Sequence, residues 1–426
     1  MKFFHVSDLH LGKTLYDVQL VDEDQPYWVE QFLKAVDEHQ PDVILIAGDI
    51  YDRKQPSDEA MKLFEHMISE LAARNKIVFV VPGNHDSCVR LSQFNEFLRT
   101  KDIYIARDVK REMDHYEVDG VVFWLMPYIY PLIVSDLSVL DDPSVISFDQ
   151  AARALINAQD IDTSKCNVII SHQNVIANGV KPEHSESETT RGGLGEIEYT
   201  AYDRFDYVAL GHIHNGQKVG RDTVRYSGCP LYYDFSEINR DKRVVMVEVN
   251  KDGRITDDDI SFVEIPLLHT LHIESGSVED LIKNGKTLQD KEKYYVLCNI
   301  EDRNITSDDR NRISAVYGSC LVHVTKSEEI SASGTVSQKR RTGLTEKVSI
   351  DKAFSDFYHE KTGDFLNEVQ ESLIKKIIEQ QDRNAGFYLS LSGKDSIKKL
   401  EEETDELVKF LVDAAEKTEK NEEDRV

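Results

Sequence analysis

Five short runs of apolar, mostly β-branched or aromatic residues recur over the first half of the chain. They lie at residues 3–6, 43–47, 77–81, 168–170 and 207–210. Runs that are apolar at nearly every position are typical of strands covered on both faces. Between the second and third runs, residues 57–74 place six apolar side chains on one stripe of a helix, namely Ala60, Leu63, Phe64, Met67, Ile68 and Leu71. This alternation predicts a layered α/β domain over residues 1–266.

The pattern changes near Pro266. Residues 268–274, 294–300 and 320–325 have the composition of strands, while helical patterns begin at Ser277 and span residues 307–317. Strands that alternate with helices in this way indicate a βαβαβ unit. We therefore predict a small, separate α+β capping domain over residues 267–325.

The final hundred residues differ in composition from both of these regions. Residues 326–347, rich in Ser, Gly, Lys and Arg, have the composition of a linker. Residues 348–426 predict C-terminal helices, with an apolar ladder through Phe365, Val369, Leu373 and Ile377, then a near-heptad polar helix and a charged, frayed tail. The ladder is followed by a strongly acidic segment and has little else to pack on. Docking against a partner helix is therefore favoured over an ordinary core helix.

Composition restricts the class of protein. Hydrophobic residues make up 40% and charged residues 30% of the 426 residues, as in a globular protein. No apolar run approaches the roughly 20 residues of a membrane helix, and the N-terminus does not resemble a signal peptide. We therefore expect a cytoplasmic protein without membrane contact. Five scattered cysteines without a CxxC pair argue against a disulfide framework.

The net charge of −27 is unexpected for a protein that grips nucleic acid alone, because such proteins usually have a basic surface. Either the substrate is not DNA, or a partner makes most of the DNA contact.

Two Gly-Lys-Thr triplets, at residues 12–14 and 285–287, are similar to the end of a phosphate-binding P-loop. That loop also needs a glycine five positions earlier, since its backbone N–H groups wrap the phosphates. The positions in question hold Ser7 and Asp280. Neither triplet is a P-loop, so ATP would have to bind a partner.

Polar residues collect where the five apolar runs end. The clusters are Ser7-Asp8-Leu9-His10, Gly48-Asp49, Gly83-Asn84-His85-Asp86, Ser171-His172 and Gly211-His212-Ile213-His214. Ligands of open α/β sheets bind beyond the carboxyl ends of the strands, so we expect the five loops to converge on one site. A donor set of two aspartates, one asparagine and four histidines suits Mn(II), Fe(II) or Zn(II) better than Mg(II) alone.

The same blocks, with Gly48-Asp49-Ile50-Tyr51-Asp52-Arg53 as the second, resemble the calcineurin-like metallophosphoesterases. Their order and spacing, together with the cap and the helical C-terminus, are similar to the SbcD-type nuclease family within that group. The resemblance implies a layered metallophosphoesterase fold, with central mixed β-sheets flanked by helices, a small α+β cap and C-terminal helices.

The resemblance also implies two divalent metal ions, most often Mn2+, and a role for each block. One ion would be held by Asp8, His10, Asp49 and His214, and the other by Asp49, Asn84, His172 and His212. Asp49 would bridge the two ions, which activate a water and clamp the phosphate under attack.

Other residues would act on the substrate directly. His85 would give a proton to the departing sugar oxygen, and Asp52 would orient His85 by accepting its second N–H. Arg53 would contact a phosphate oxygen. Residues 181–198, with His184 and Arg191, have loop composition and would contact DNA. For Asp86, a hydrogen bond to the loop backbone is as good an explanation as a functional role.

The function implied is a DNA phosphodiesterase of DNA repair, replication and recombination. It would act as an exonuclease on double-stranded ends and an endonuclease on hairpins, with an SbcC-type ATPase bound through the C-terminal helices, and as a possible homodimer. Two alternatives stay open. One is a metallophosphatase or small-substrate phosphodiesterase built from the same blocks. The other is a structural component of a repair assembly that keeps the fold without the chemistry.

Overall fold

The computed structural model describes residues 1–137, 139, 147–185, 195–250, 252–301 and 305–326. The strands in these ranges are β1 (Lys2–Val6), β2 (Thr14–Leu15), β3 (Val18–Gln19), β4 (Val43–Ala47), β5 (Ile77–Val81), β6 (Ile103–Ile105), β7 (Asp114–Val118), β8 (Val121–Met126), β9 (Cys166–His172), β10 (Asn174–Ile176), β11 (Glu196–Glu198), β12 (Tyr207–Gly211), β13 (Gln217–Val219), β14 (Arg221–Tyr226), β15 (Arg243–Glu248), β16 (Ile260–Glu264), β17 (Thr270–Gly276), β18 (Tyr294–Ile300) and β19 (Leu321–Lys326). The α-helices are α1 (Asp24–His39), α2 (Asp58–Ala73), α3 (Cys88–Leu91), α4 (Asn95–Arg99), α5 (Pro131–Asp136), α6 (Phe148–Asn157), α7 (Val278–Thr287) and α8 (Ser307–Tyr317).

Two six-stranded sheets form the centre of the fold, with strand orders β16-β15-β1-β4-β5-β6 and β13-β14-β12-β9-β8-β7. In the first sheet β1, β4, β5 and β6 are parallel, β15 pairs antiparallel with β1, and the edge strand β16 pairs antiparallel with β15. In the second sheet β14, β12, β9 and β8 are parallel, and the edge strands β13 and β7 are antiparallel. Both sheets are mixed, which confirms the expected fold class.

Apolar side chains on both faces of each sheet explain the order of the layers. Phe3 and Phe79 of the first sheet pack with Phe123 and Val168 of the second in one core between the sheets. The outer face of the first sheet packs on α1 and α2, and the outer face of the second packs on α6. The part of the chain that the two sheets form with α1, α2 and α6 is therefore a helix–sheet–sheet–helix stack, in which the central strands are covered on both sides.

Several predicted elements have the bounds that the sequence indicated. β4 and β5 occupy the second and third apolar runs, and the six apolar residues on the predicted stripe of α2 are all buried. Ser57 caps α2 by accepting a hydrogen bond from the backbone N–H of Ala60. The edge strand β15 escaped prediction, because its place beside β1 depends on pairing between residues about 240 positions apart in the chain, and β16 then pairs with β15.

The predicted βαβαβ unit is present as β17, α7, β18, α8 and β19, with three parallel strands. Helices α7 and α8 cover one face of its sheet. On the opposite face Leu271, Leu297 and Val322 share a core with α1. The division of the chain at residue 266 stays a prediction.

A buried carboxylate joins this three-stranded sheet to α1. Asp24, in the first turn of α1, accepts hydrogen bonds from the Tyr295 hydroxyl and from Nδ1 of His269, the latter at 3.0 Å. Nearby, the rings of Tyr16 and His323 stack with centroids 4.5 Å apart.

The predicted linker, apart from Lys326 in β19, and the predicted C-terminal helices lie outside the described residues. Across the part of the chain that is described, no helix is long and apolar enough to cross a membrane.

We predict that Asp24→Ala lowers the free energy of unfolding by about 2–3 kcal/mol, because it leaves the buried Tyr295 hydroxyl and the His269 imidazole without their charged partner. Urea denaturation followed by circular dichroism measures the change. Asp22→Ala, two residues earlier and exposed, is the control and should change stability by less than about 0.5 kcal/mol. An equal loss in both variants would show that the buried contact adds nothing.

Candidate metal centre

Loops from both sheets meet at one place. From the first sheet, β1 leads to Asp8 and His10, β4 leads to Asp49 and β5 leads to Asn84. From the second sheet, β9 ends at His172 and β12 leads to His212 and His214. The prediction that these loops converge is confirmed, with one difference: the site lies where two stacked sheets meet and not at the edge of a single sheet.

Four of these residues, Asp8, His10, Asp49 and His214, form what we call the first cluster. Nε2 of His10 lies 3.1 Å from Nε2 of His214 and 3.7 Å from Oδ2 of Asp49. Asp8, His10 and His214 offer donor atoms that all lie within 4.8 Å of one another, and all three residues are buried.

The second cluster contains Asp49, Asn84, His172 and His212. Nε2 of His172 lies 3.2 Å from Oδ2 of Asp49 and 3.1 Å from Oδ1 of Asn84. Nδ1 of His212 is also 3.1 Å from Oδ1 of Asn84. The Asp49 carboxylate thus reaches both clusters, which is the arrangement the resemblance implied. The assignment of each residue as a ligand stays a prediction.

The chemistry of the donors fits divalent cations. Carboxylate oxygens, an amide oxygen and imidazole nitrogens face one another at 3–4 Å inside the protein, where a shared cation stabilises them. The pKa values show the same demand for positive charge: burial lowers the pKa of His172, but the Asp49 carboxylate outweighs burial and raises it to about 9.

Unusual backbone conformations place the donors. Asp8, His10, Asp49 and His212 have positive φ values of 52°, 42°, 47° and 104°, a region that residues other than glycine seldom occupy. Strain of this kind gathers at functional sites. Gly83 leaves room for the carboxylate, since a Cβ there would lie 2.1 Å from Oδ1 of Asp49.

His85 forms hydrogen bonds with the shared Asp49 carboxylate and with the loop after β4. Its backbone N–H donates to Oδ1 of Asp49 at 2.9 Å, and its Nδ1 lies 2.8 Å from the backbone carbonyl of Asp52. A carbonyl only accepts, so Nδ1 carries the proton.

Asp52 meets the second N–H of His85 through its backbone carbonyl, and its role in orienting His85 stays a prediction. The carboxylate instead pairs with the Lys13 ammonium at 3.0 Å and lies 3.6 Å from Nδ1 of His10.

Asp86 connects the loop after β4 to the loop after β5. Its carboxylate accepts hydrogen bonds from the backbone N–H groups of Ile50, Tyr51 and Gly83. Burial raises the pKa of Asp86 to about 7, with Asp49 adding to the effect. The backbone explanation of this residue is confirmed: it ties the loop after β4 to the loop after β5.

The three predicted DNA contacts are placed differently from one another. The side chain of Arg53 is 77% exposed at the rim of the site, with Nε 3.5 Å from Oδ2 of Asp52. The backbone carbonyl of His184 accepts a 2.7 Å hydrogen bond from Arg240. Arg191 lies outside the described residues. Glu196–Glu198, predicted as loop, form strand β11 because they pair with β10.

Sequence reasoning missed a buried group behind His214. Oε1 of Glu237 lies 3.4 Å from Nδ1 of His214, and Oε2 pairs with the Lys242 ammonium at 2.7 Å. Lys242 also donates to the buried thiol of Cys229 at 2.9 Å. Burial would raise the pKa of Glu237, but Lys242 and His214 hold it below its usual range. The stretch 235–242 is polar in composition, so no sequence signal indicated its burial.

Comparison with known proteins agrees with this site. Residues 1–216 match the family model of the calcineurin-like phosphoesterases, and the chain belongs to that family of dimetal enzymes. The SbcD component of the nuclease SbcCD from Staphylococcus epidermidis is 30% identical over 386 residues, which cover 89% of this chain and 98% of that protein. Within the calcineurin-like phosphoesterases, the chain belongs to the SbcD family.

Two solved structures are similar over 62% of the chain. One is a dimetal phosphatase from Danio rerio, with 13% identity, a TM-score of 0.33 and coverage of 99% of that protein. The other is Yfce, a phosphoesterase from E. coli, with 11% identity, a TM-score of 0.25 and full coverage of that protein.

We predict that Asp49→Ala removes both metal ions and His212→Ala removes one, since the Asp49 carboxylate reaches both clusters and His212 belongs to the second alone. After dialysis against Mn2+ and desalting, elemental analysis should find about two ions per chain in the unsubstituted protein, about none in Asp49→Ala and about one in His212→Ala. His66→Ala, which alters an exposed pair with Glu30, is the control and should keep about two. Retention of both ions by Asp49→Ala would contradict the bridge.

Proposed function

We propose that this metal-dependent phosphoesterase is the nuclease component of an SbcCD-type complex. It cleaves phosphodiesters in DNA, as an exonuclease at double-stranded ends and as an endonuclease at hairpins, in DNA repair, replication and recombination. Mn2+ is the proposed metal and the cytoplasm the proposed location. The observation that carries the proposal is the convergence of Asp8, His10, Asp49, Asn84, His172, His212 and His214 from two sheets into two clusters with one shared carboxylate.

The residues around the clusters have distinct tasks in this proposal. When bound, the two ions supply Lewis acidity to the phosphate and to the water that attacks it. Asp49 would contribute to holding both ions, since its carboxylate lies near donors of both clusters. Asp86 keeps the loops that carry Asp49 and Asn84 in register through its three backbone hydrogen bonds.

His85 is the proposed proton donor. Its Nδ1 proton is fixed on the Asp52 carbonyl, so Nε2 is the ring nitrogen left to exchange a proton with the departing sugar oxygen. The hydrogen bond from its backbone N–H to Asp49 holds the ring beside the first cluster, with its centroid 5.0 Å from that of His10.

DNA is favoured as the substrate over small phosphate esters on two grounds. The Staphylococcus epidermidis protein that the chain matches over 98% of its length is part of a nuclease. The second ground is the three-stranded sheet that packs on α1, which a small substrate does not need. Arg53, His184 and Arg191 are the proposed DNA contacts.

The net charge of −27 opposes DNA binding by the chain alone. We therefore propose that an SbcC-type ATPase makes most of the contact with DNA. It would bind this chain through the ladder of Phe365, Val369, Leu373 and Ile377. A second copy of the chain is a further proposed partner.

The proposal predicts that the complex of the full chain with its ATPase partner cuts an end-labelled DNA hairpin in the presence of Mn2+ and ATP. His85→Ala should lower the cleavage rate by about 10²–10⁴-fold while metal content is unchanged. With bis-p-nitrophenyl phosphate the same variant should lose far less activity, since p-nitrophenolate leaves without a proton donor. His66→Ala serves as the control on both substrates.

An equal loss on both substrates would contradict the role of His85 as proton donor. Turnover of the small diester with no cutting of DNA, although partner and ATP are present, would overturn the DNA assignment in favour of a small-substrate phosphodiesterase. Unchanged DNA processing after Asp8→Ala would favour a structural component of a repair assembly.

We also predict that Leu373→Glu abolishes co-elution of the chain with its ATPase partner in size-exclusion chromatography, because it places a charge on the apolar ladder. Lys375→Glu, off the ladder, is the control and should keep the complex. Both variants should hydrolyse the small diester at the unsubstituted rate. Co-elution of Leu373→Glu would show that the partner binds elsewhere.

A further inference from the structure

The histidines of the two clusters differ in what their outward-facing nitrogens contact. A metal-bound imidazole uses one ring nitrogen for the ion, and the group that meets the other nitrogen tunes its basicity and orientation. In the first cluster both histidines face carboxylates. In the second cluster the outer nitrogen of His172 faces a neutral carbonyl.

His214 is supported from inside the protein. Its Nδ1 lies 3.4 Å from Oε1 of Glu237, a residue with no exposed surface. The other oxygen of Glu237 accepts hydrogen bonds from the Lys242 ammonium at 2.7 Å and from the backbone N–H of Tyr233 at 3.2 Å. These contacts hold the carboxylate still behind the ring.

His10 faces the carboxylate of Asp52, at the rim of the site. Its Nδ1 is buried and makes no hydrogen bond within the described ranges, but Oδ1 of Asp52 lies 3.6 Å away. The same oxygen pairs with the Lys13 ammonium at 3.0 Å, and Lys13 lies 5.5 Å from the ring centroid of Tyr233.

Behind His172 of the second cluster stands a neutral group. Nδ1 of His172 donates to the backbone carbonyl of Ala47 at 2.8 Å, so its support is neutral. The inner donors differ in the same sense. The first cluster has the Asp8 carboxylate in addition to the shared Asp49, whereas the second has the neutral amide of Asn84.

A carboxylate beside the outer nitrogen of a metal-bound imidazole makes the inner nitrogen a better electron-pair donor to a cation, and Asp52 and Glu237 lie 3.6 Å and 3.4 Å from the outer nitrogens of His10 and His214. Lys13 and Lys242 pair with these carboxylates at 3.0 Å and 2.7 Å, so each carboxylate acts only on the ring that it faces. The gain therefore belongs to His10 and His214, whereas His172 has a neutral support.

We infer that the two metal positions are unequal, and that the position formed by Asp8, His10, Asp49 and His214 binds its ion first and more tightly because Asp52 and Glu237 support its histidines. Asp52 and Glu237 are thus positioning residues for metal loading. The inference rests on the ligand assignment in the proposed function and adds an order of loading to it.

The first test locates a single ion. The full chain is crystallised with one molar equivalent of Mn2+, and anomalous diffraction shows where the ion lies. Density beside His10 and His214 is the expected result. Density beside His172 and His212, or equal density at both positions, would overturn the inference.

The second test measures the two binding steps by isothermal titration of the metal-free full chain with Mn2+. Glu237→Gln and Asp52→Asn should each weaken the tighter step by about 10–100-fold and leave the weaker step within about threefold. Glu274→Gln is the matched control. It alters a carboxylate–histidine contact, 2.9 Å to His272, in the three-stranded sheet, and should change neither step.

Glu237→Gln leaves the Lys242 ammonium buried without its carboxylate partner, which threatens folding. The double variant Glu237→Gln/Lys242→Met removes both charges and should show the same selective weakening with a native circular dichroism spectrum. Weakening of both steps alike, of the weaker step alone, or of neither step would overturn the inference.

Failure of the inference and failure of the proposed function are distinguishable, because neither test contains DNA. Ordered loading without DNA cleavage would contradict only the proposed function. DNA cleavage by a protein that binds both ions equally would contradict only the inference.

Discussion

The site depends on the carboxylate of Asp49. One of its oxygens accepts the backbone N–H of His85 at 2.9 Å, and the other lies 3.2 Å from His172 and 3.7 Å from His10. These contacts join loops of the first sheet to the last residue of a strand in the second. Because the carboxylate is buried between the sheets, it needs positive charge beside it. The same need explains the surrounding imidazoles and the demand for cations.

The backbone is arranged to meet this need. Asp8, His10 and Asp49 have left-handed conformations, and hydrogen bonds hold two of them in place: the N–H of Asp8 donates to Gly48, and the N–H of His10 donates to Asp49. The Asp8 carboxylate in turn accepts the N–H of His212, which links the two sheets again. Strain at these positions is offset by contacts that fix each donor before any ion binds. Loops built in this way pre-organise the site and cannot be shortened or shifted without loss of a donor.

Charge is used locally in this acidic chain. Lys13 and Lys242 lie within the protein and neutralise Asp52 and Glu237, so neither adds to a basic surface. The carboxylates that they neutralise stand behind two histidines of the first cluster. A chain with a net charge of −27 can therefore hold cations in its site while its surface gives no general attraction for DNA. This separation between a local site and the overall charge is why composition alone was a poor guide to function.

The sequence by itself determined the central strands β4 and β5, the helix α2 and the βαβαβ order of residues 270–326, because each follows from local periodicity. It also nominated the donors, since polar residues follow each apolar run. Only the tertiary structure decided that the donors come from two stacked sheets, that Asp52 meets His85 through its carbonyl and His10 through its carboxylate, and that Glu237 and Lys242 are buried. These features depend on contacts between residues far apart in the chain, and a polar stretch shows no local sign of the partners that make its burial possible.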